Sequence, residues 1–419
     1  MSNFRTIKGT HDILPDERII WRKVENSIHT IMQQNGYGEI RTPAFENTEL
    51  FVRGIGTETD IVTKEMYSWT DQGGNQLTLK PELTAPVVRA YLQHQMGNNN
   101  PIHRLYYFDA LFRRERPQKG RQRQFYQFGA EAIGSPNPEQ DAEIIALAYN
   151  IYQKFDIQNI IVRLNSIGSA DIRPKYLDKL RNSVQNIKHE LCKICQARLE
   201  KNALRLFDCK NPHCQELLDE HSPLIFDSIS EDDRAHFNVI TQILNEMDIP
   251  YTHDHKLVRG LDYYSHTTFE ITSPTLGAQD ALCGGGRYNG LIEQMGGKPT
   301  PAVGFAAGVE RLILAIDKQN DIVQPVDIYL VHMGQGVIPT AARIVNDLRK
   351  NCGKTVVFET LRRSLKSQMR EAGRCKAATT LILGEEEFAE NKIIIKDMST
   401  GNQEKIDLSE IIQFFINLS

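Results

Sequence analysis

Apolar residues recur at helical spacing between Asp16 and Gln34, where Ile20, Val24, Ile28 and Ile31 share one face and Gly36 supplies a stop. EIRTPAFE, from Glu39 to Glu46, reads as a strand whose Pro43 favours an edge or a bulge. QLTLK, Gln76 to Lys80, alternates as a short strand. It runs into Pro81-Glu82-Leu83-Thr84, a helix start, and the helix continues to about His94. HRLYYFDALFR and RQFYQFGAEAIG read as two strands, and the polar connection RERPQKGRQ between them predicts an antiparallel hairpin. A helix from about Pro138 to Phe155 carries Ile144, Leu147, Ile151 and Phe155 on one side, and IIVRLNS follows as another strand.

From Ser169 to His255 the pattern becomes helical and charged, and it holds four of the seven cysteines. This stretch interrupts a strand-rich region and reads as an inserted domain. Strand patterning resumes at Lys256, and a glycine-rich stretch, ALCGGGRYNGLIEQMGG, precedes a strand and helix in PAVGFAAGVERLILAID. Gln319 to Pro325 reads as a linker. Beyond it VDIYLVHM, KTVVFE, TTLILG and NKIIIKD alternate with helical segments in a βαβαββ rhythm, which predicts a separate α/β domain. The expected divisions are therefore 1–168, 169–255, 256–320 and 325–419.

A chain of 419 residues is too long for one ordinary core. Its 40% hydrophobic and 24% charged content fit a soluble globular protein. The net charge of −4 excludes global polycationic attraction to nucleic acid, so any such surface is local. MSNFRTIKGTHDILP has no apolar core of a signal peptide, and no run of about 18 apolar residues predicts a membrane span. An odd number of cysteines in such a chain points to reduced thiols and a cytoplasmic location.

Four stretches carry candidate chemistry. RRERPQKGRQR, Arg113 to Arg123, has six basic residues and one acid. As a bare charge run it is a solvated hairpin tip. With Phe125 beside it, it also suits a nucleotide, the arginines taking phosphate and the ring a base. GGGRYNG, Gly284 to Gly290, lets backbone approach a ligand closely, although three glycines also make an ordinary loop. GVERL sets Arg311 early in a helix. LVRGLDYYSHTTFEI puts Arg259, Gly260, Asp262, Tyr263 and Tyr264 at the mouth of a strand over Thr268–Ile271. The two tyrosines would face opposite ways if the strand already included them. Separately, Cys192-x2-Cys195 and Cys209-x4-Cys214 have the spacing of a tetrahedral zinc site, with His213 as a fifth candidate. Four reduced thiols in a helical insert fit the same pattern.

Taken in order, FRRERPQKGRQRQFYQFGAE, LVRGLDYYSHTTFEI, CGGGRYNGL and AVGFAAGVERL closely resemble the motifs of bacterial histidyl-tRNA synthetases, class II aminoacyl-tRNA synthetases. GTHDILP, RTPAFENTELF (similar to motif 1, with Pro43 as its proline) and LKPELTAP extend the resemblance over essentially the whole chain. It implies an α+β fold: an antiparallel sheet of six strands with flanking helices, a helical insert, and a C-terminal α/β anticodon-binding domain. It also implies a homodimer closed through motif 1. The two catalytic parts are then 1–168 and 256–320.

The implied reaction activates L-histidine with ATP, accompanied by Mg2+, to histidyl-adenylate and pyrophosphate. Histidine then passes to the 3′ end of tRNA(His). By resemblance, Arg113 holds the α-phosphate and Arg259 takes the place of a metal ion used by other class II enzymes. Phe125 stacks on adenine, Glu115 serves the adenine side, and Arg121, Arg123 and Arg311 serve the triphosphate. Glu82, Thr84 and Gln127 meet the histidine ammonium end. Glu131 and Tyr264 meet the imidazole, whose nitrogens pair well with a carboxylate and a phenol. Tyr263 makes an adjoining contact. Arg116 and Gln118 read the tRNA acceptor end. Two other readings compete: a non-catalytic relative used in regulation or tRNA binding, and a nucleic-acid-binding protein with a zinc module.

Overall fold

The computed structural model describes residues 4–57, 59–118, 120–169, 171–274, 280–316 and 326–418. The chain divides into two compact units, 1–320 and 321–419. The first contributes β1 (Gly38–Glu39), β2 (Phe45–Asn47), β3 (Tyr67–Thr70), β4 (Gln76–Leu79), β5 (His103–Phe112) and β6 (Gln124–Ile133). It continues with β7 (Ile161–Ser166), β8 (Tyr251–His253), β9 (Ser265–Thr272), β10 (Ala281–Arg287) and β11 (Ala302–Gly308).

The main sheet runs β1-β5-β6-β11-β10-β9-β7-β8. Its six central strands are antiparallel throughout, beginning with the expected β5–β6 hairpin. The sheet is wider than expected, because β1 and β8 add short parallel edges. Both parallel neighbours arrive after long excursions of chain, which a parallel pairing requires. The strand expected over EIRTPAFE is two strands. The chain breaks around Pro43, which has no N–H for a ladder, and β2 leaves to join β4 and β3 in a small second sheet.

The helix Pro15–Gln34 buries Trp21, Val24, Ile28 and Met32, so its inner face is centred about one residue away from the expected stripe. The helix Pro138–Lys154 is buried on most sides, because it lies between the sheet and the helix Glu231–Glu246. That last helix inserts Phe237, Ile240 and Leu244 into the core of the main sheet, while β8 pairs with β7. Within 169–255, the helices Ile172–Val184, Lys193–Lys201 and Pro212–His221 instead gather around Tyr176, Leu180, Leu199, Leu206 and Leu218.

The second unit contains β12 (Ile328–His332), β13 (Val356–Phe358), β14 (Thr379–Leu383), β15 (Lys392–Asp397) and β16 (Gln403–Asp407), ordered β13-β12-β14-β15-β16. The first three are parallel and the last two antiparallel. β16 and the closing helix Ile411–Asn417 extend the expected rhythm. The linker expected at Gln319–Pro325 lies outside the described residues. Among the described residues no helix is long and apolar enough to cross a membrane.

Candidate active site

A cavity of about 510 Å3 opens in the first unit, over the centre of the main sheet. Twelve of the residues singled out above line it: Glu82, Thr84, Arg113, Glu115, Arg121, Phe125, Gln127, Glu131, Arg259, Tyr263, Tyr264 and Arg311. They come from β6, from the hairpin loop, from the mouths of a helix and a strand, and from the helix Val309–Ala315. The antiparallel register brings these distant segments together, setting Gln127 opposite Gly308 and Glu131 opposite Gly304.

One group of lining residues is acidic and phenolic. Glu131 is buried and accepts hydrogen bonds from Thr84 Oγ1 at 2.8 Å, Tyr107 OH at 3.1 Å and Tyr288 OH at 2.5 Å. Burial pushes its carboxyl up to about 7, against the lowering effect of Tyr288, Thr84 and Tyr107. Glu82, also buried, accepts the backbone N–H groups of Thr84 and Ala85, both at 2.8 Å. It satisfies two of the otherwise unpartnered donors at the start of the helix Thr84–Gln93. Burial raises its carboxyl despite those bonds.

Tyr263 and Tyr264 share this surface. β9 begins at Ser265, so both tyrosines precede the strand and escape its alternation. Their rings are 4.7 Å apart, and Tyr263 meets Tyr288 edge-on at 5.6 Å.

Arginines also line the cavity. Arg259 Nη1 donates to Glu270 at 2.9 Å, so its ion-pair partner is Glu270 on β9. Its Nε is buried with no hydrogen-bond partner among the described residues, an unusual state for so strong a donor. Burial opposes its charge, but the neighbouring phenols and Glu270 outweigh that and raise its pKa. Arg113 donates to the Pro81 carbonyl at 2.8 Å, and its guanidinium sits 5.2 Å from the centre of the Phe125 ring. Glu115 lies between Arg113, at 3.7 Å, and Arg121, at 3.1 Å. Arg311 donates to the Ala281 carbonyl at 2.8 Å.

The glycine run lies inside β10 and is not a loop. A Cβ on Gly284 would lie about 2.1 Å from the Arg259 guanidinium, so the missing side chain lets that cation lie flat on the sheet. Arg287 from the same motif is buried away from the cavity, held by Asp141 and by the carbonyls of Ser135 and Asn137.

Arg123, Arg116 and Gln118 are not among the lining residues. Arg116 and Gln118 are exposed on the hairpin loop, where Gln118 pairs with Arg121 through backbone. Sequence reading missed Tyr107, Tyr288 and Glu270. Tyr288 lay in plain view in GGGRYNG, but its part in the site depends on contacts across the sheet.

Cys192, Cys195, Cys209 and Cys214 converge in the insert, and the exposed His213 is not part of the group.

Residues 9–312 match the histidyl-tRNA synthetase family, and residues 326–418 match the anticodon binding domain. The chain is 46% identical over 409 residues to a histidine–tRNA ligase of Halothermothrix orenii, covering 97% of each. It is 44% identical to that of Geobacillus thermodenitrificans, covering 99% of this chain and 98% of the relative. Among solved structures, apo histidyl-tRNA synthetase of S. aureus superposes with a TM-score of 0.83 at 37% identity, over 99% of this chain and all of that one.

Proposed function

The chain belongs to the histidyl-tRNA synthetase family, and we infer that its cavity joins histidine to ATP and then to tRNA. It is an aminoacyl-tRNA synthetase, a histidine–tRNA ligase. Histidine's carboxylate attacks the α-phosphate of ATP, which enters as the magnesium complex, and pyrophosphate leaves. A terminal adenosine hydroxyl of tRNA(His) then attacks the histidyl carbonyl, and AMP leaves.

The observation that carries this reading is the lining of the cavity, which sets a buried carboxylate among tyrosines in the same space as several arginines. Glu131 and Tyr264 fit an imidazole, whose ring N–H donates and whose second nitrogen accepts. Glu82, Thr84 and Gln127 suit the ammonium end, with Tyr263 as an adjoining wall. Arg113 and Arg259 suit the α-phosphate, Arg121 and Arg311 the phosphates beyond it, and Phe125 and Glu115 the adenine. Arg123, off the cavity wall, keeps its role only through the bound triphosphate reaching it. Arg116 and Gln118 are exposed, as a tRNA acceptor end requires.

Catalysis here is positioning and charge. Negative charge grows on the non-bridging α-phosphate oxygens as pyrophosphate leaves, and a fixed guanidinium stabilises that state more than the ground state. The fork of Arg259 spans two oxygens, and it remains protonated.

The enzyme is also proposed to work as a cytoplasmic homodimer. A separate concavity of about 690 Å3 contains Pro43 in its lining, and Phe45 and Trp69 nearby on the small sheet are 50% and 40% exposed. Rings left open at that level suit burial by a second copy. None of the seven cysteines is joined in a disulfide, which suits a reducing compartment.

Histidine-dependent exchange of pyrophosphate into ATP, run with all twenty amino acids, tests the activity. Exchange with histidine alone is expected. No exchange by well-folded protein would instead favour a non-catalytic, tRNA-binding relative.

A further inference from the structure

The sulfurs of Cys192, Cys195, Cys209 and Cys214 all lie within 4.8 Å of one another, and those of Cys192 and Cys209 are 3.9 Å apart. Four thiolates on one zinc at about 2.3 Å each would stand roughly 3.8 Å from one another. Among the described residues no other group of His, Cys, Asp and Glu converges in this way.

Local structure prepares the sulfurs for a cation. Cys192 is the N-cap of the helix Lys193–Lys201, with Cys195 in its first turn. Cys214 is in the first turn of the helix Pro212–His221. The positive ends of two helices therefore adjoin the cluster and favour thiolate over thiol. The Cys192 N–H donates to Cys214 Sγ at 3.2 Å, and the Asn211 N–H donates to Cys209 Sγ at 3.4 Å. Asn211 is itself fixed by accepting the His213 N–H at 3.0 Å, capping the second helix. Cys195 and Cys214 are buried, so unligated thiols would gain nothing from convergence beyond ordinary packing.

The chain between the two pairs reaches the active site. Asn202 donates to Asp262 at 3.1 Å, and Arg205 pairs with Asp60 at 2.8 Å. Arg205 and Asp208 line the cavity, and Asp208 immediately precedes Cys209. Cys195, Cys214 and Leu206 pack in the same core as Tyr263 and Tyr264.

We propose that Cys192, Cys195, Cys209 and Cys214 hold one structural Zn2+, and that this ion clamps both ends of segment 196–208 as a wall of the active-site cavity. An all-sulfur tetrahedral set selects zinc or iron. A closed four-cysteine site leaves no open position, so the ion's role is to hold structure and not to activate substrate. The clamp, unlike the metal site, rests on the proposed function.

The test uses full-length protein purified without chelator. Elemental analysis should give one zinc per chain. A mercurial should release that zinc as the thiols titrate. Cobalt(II) in its place should show thiolate charge-transfer bands and the visible bands of a tetrahedral site. Cys192→Ser and Cys209→Ser should each lose zinc. Zinc well below one per chain in folded wild-type protein would overturn the site. So would iron at one per chain, or full zinc content in both variants.

For the clamp, zinc release should raise KM for ATP in pyrophosphate exchange roughly fivefold or more, the lower end of ordinary coupling between two sites, and zinc readdition should reverse it. An unchanged KM after complete zinc loss would overturn the clamp. Absence of exchange in zinc-loaded protein would instead count against the proposed function and leave the metal result standing.

Discussion

Gly304 and Glu131 face each other across the β11–β6 ladder, and a Cβ on Gly304 would lie 1.8 Å from Glu131 Oε2. The carboxylate fills the space that the glycine leaves. Gly304→Ala must therefore push Glu131 away from its three donors. Losing one hydrogen bond to a charged group costs about 1.5–3 kcal/mol, or roughly tenfold to a hundredfold in affinity. KM for histidine should rise by that factor while KM for ATP moves far less. Thermal unfolding of the variant checks that the sheet survives.

Glu131→Gln probes the same group without crowding it. The shape stays and the charge goes, so an imidazole N–H loses its strong acceptor. Histidine binding should weaken by about 1.5–3 kcal/mol. Calorimetric titration with histidine and with an ATP analogue separates the two ligands. Equal losses for both would argue against a role specific to histidine.

Two buried carboxyls make stability depend on pH. Burial raises both Glu131 and Glu310 from the ordinary 4.5 to about 7, Glu310 while it accepts the Tyr126 N–H at 2.9 Å. Between those values the folded state binds more protons than the unfolded one. Their contribution is therefore fully present below about 4.5 and is lost as pH rises through about 7. His253 acts oppositely over part of this range, because burial and His255 lower it to about 4. The difference between wild type and Glu310→Gln isolates the carboxyl. The wild type's denaturation midpoint should fall relative to the variant's as pH rises from about 5 to 8. A constant difference across that range would contradict the assignment.

Elements with a clear period were legible in the sequence. The β5–β6 hairpin, the first helix and the β12–β15 rhythm follow directly from alternation and helical spacing. Pro43 signalled an irregularity, but not that β2 would change sheets. The active-site motifs were legible through resemblance, whereas residue patterns alone reached only a nucleotide-binding protein. Tyr107 was invisible because its role comes from pairing. It sits opposite Gly129, where a Cβ would meet its hydroxyl at 2.6 Å, and only that gap lets it lean toward Glu131. Glu270 belonged to the quoted strand, yet its partnership with Arg259 depends on the turn at Gly260. Lys366, Arg370 and Arg374, spaced four residues apart, share the helix Leu365–Arg374. Arg362 continues that spacing in sequence but lies outside the helix with φ of 53°, so it does not share the helix face.

The second unit should be separable in function. Between Val326 and Lys376 it carries ten Lys/Arg and four Asp/Glu, basic within an acidic chain. Removing residues from 325 onward should leave histidine activation largely intact and cripple charging of tRNA. Replacing Lys366 and Arg370, both exposed, with glutamine should flatten the salt dependence of tRNA affinity. Undiminished charging by the truncated enzyme would contradict an anticodon-binding role.

The claim that the arginines of the cavity drive adenylate formation is tested most directly by Arg259→Ala, with both half-reactions followed in single turnovers. A partly buried ion pair with Glu270 that served structure alone would, when broken, lower stability and slow both half-reactions alike. Loss of a preorganised cation at the α-phosphate should instead slow activation by on the order of 10²–10³, by analogy with removal of an oxyanion donor. Arg259→Lys should restore only part, since a point charge lacks the fork. Transfer from preformed histidyl-adenylate to tRNA should change much less, because displacement at the α-phosphate is already complete. Activation near the wild-type rate in Arg259→Ala, or equal slowing of both steps, would contradict the account.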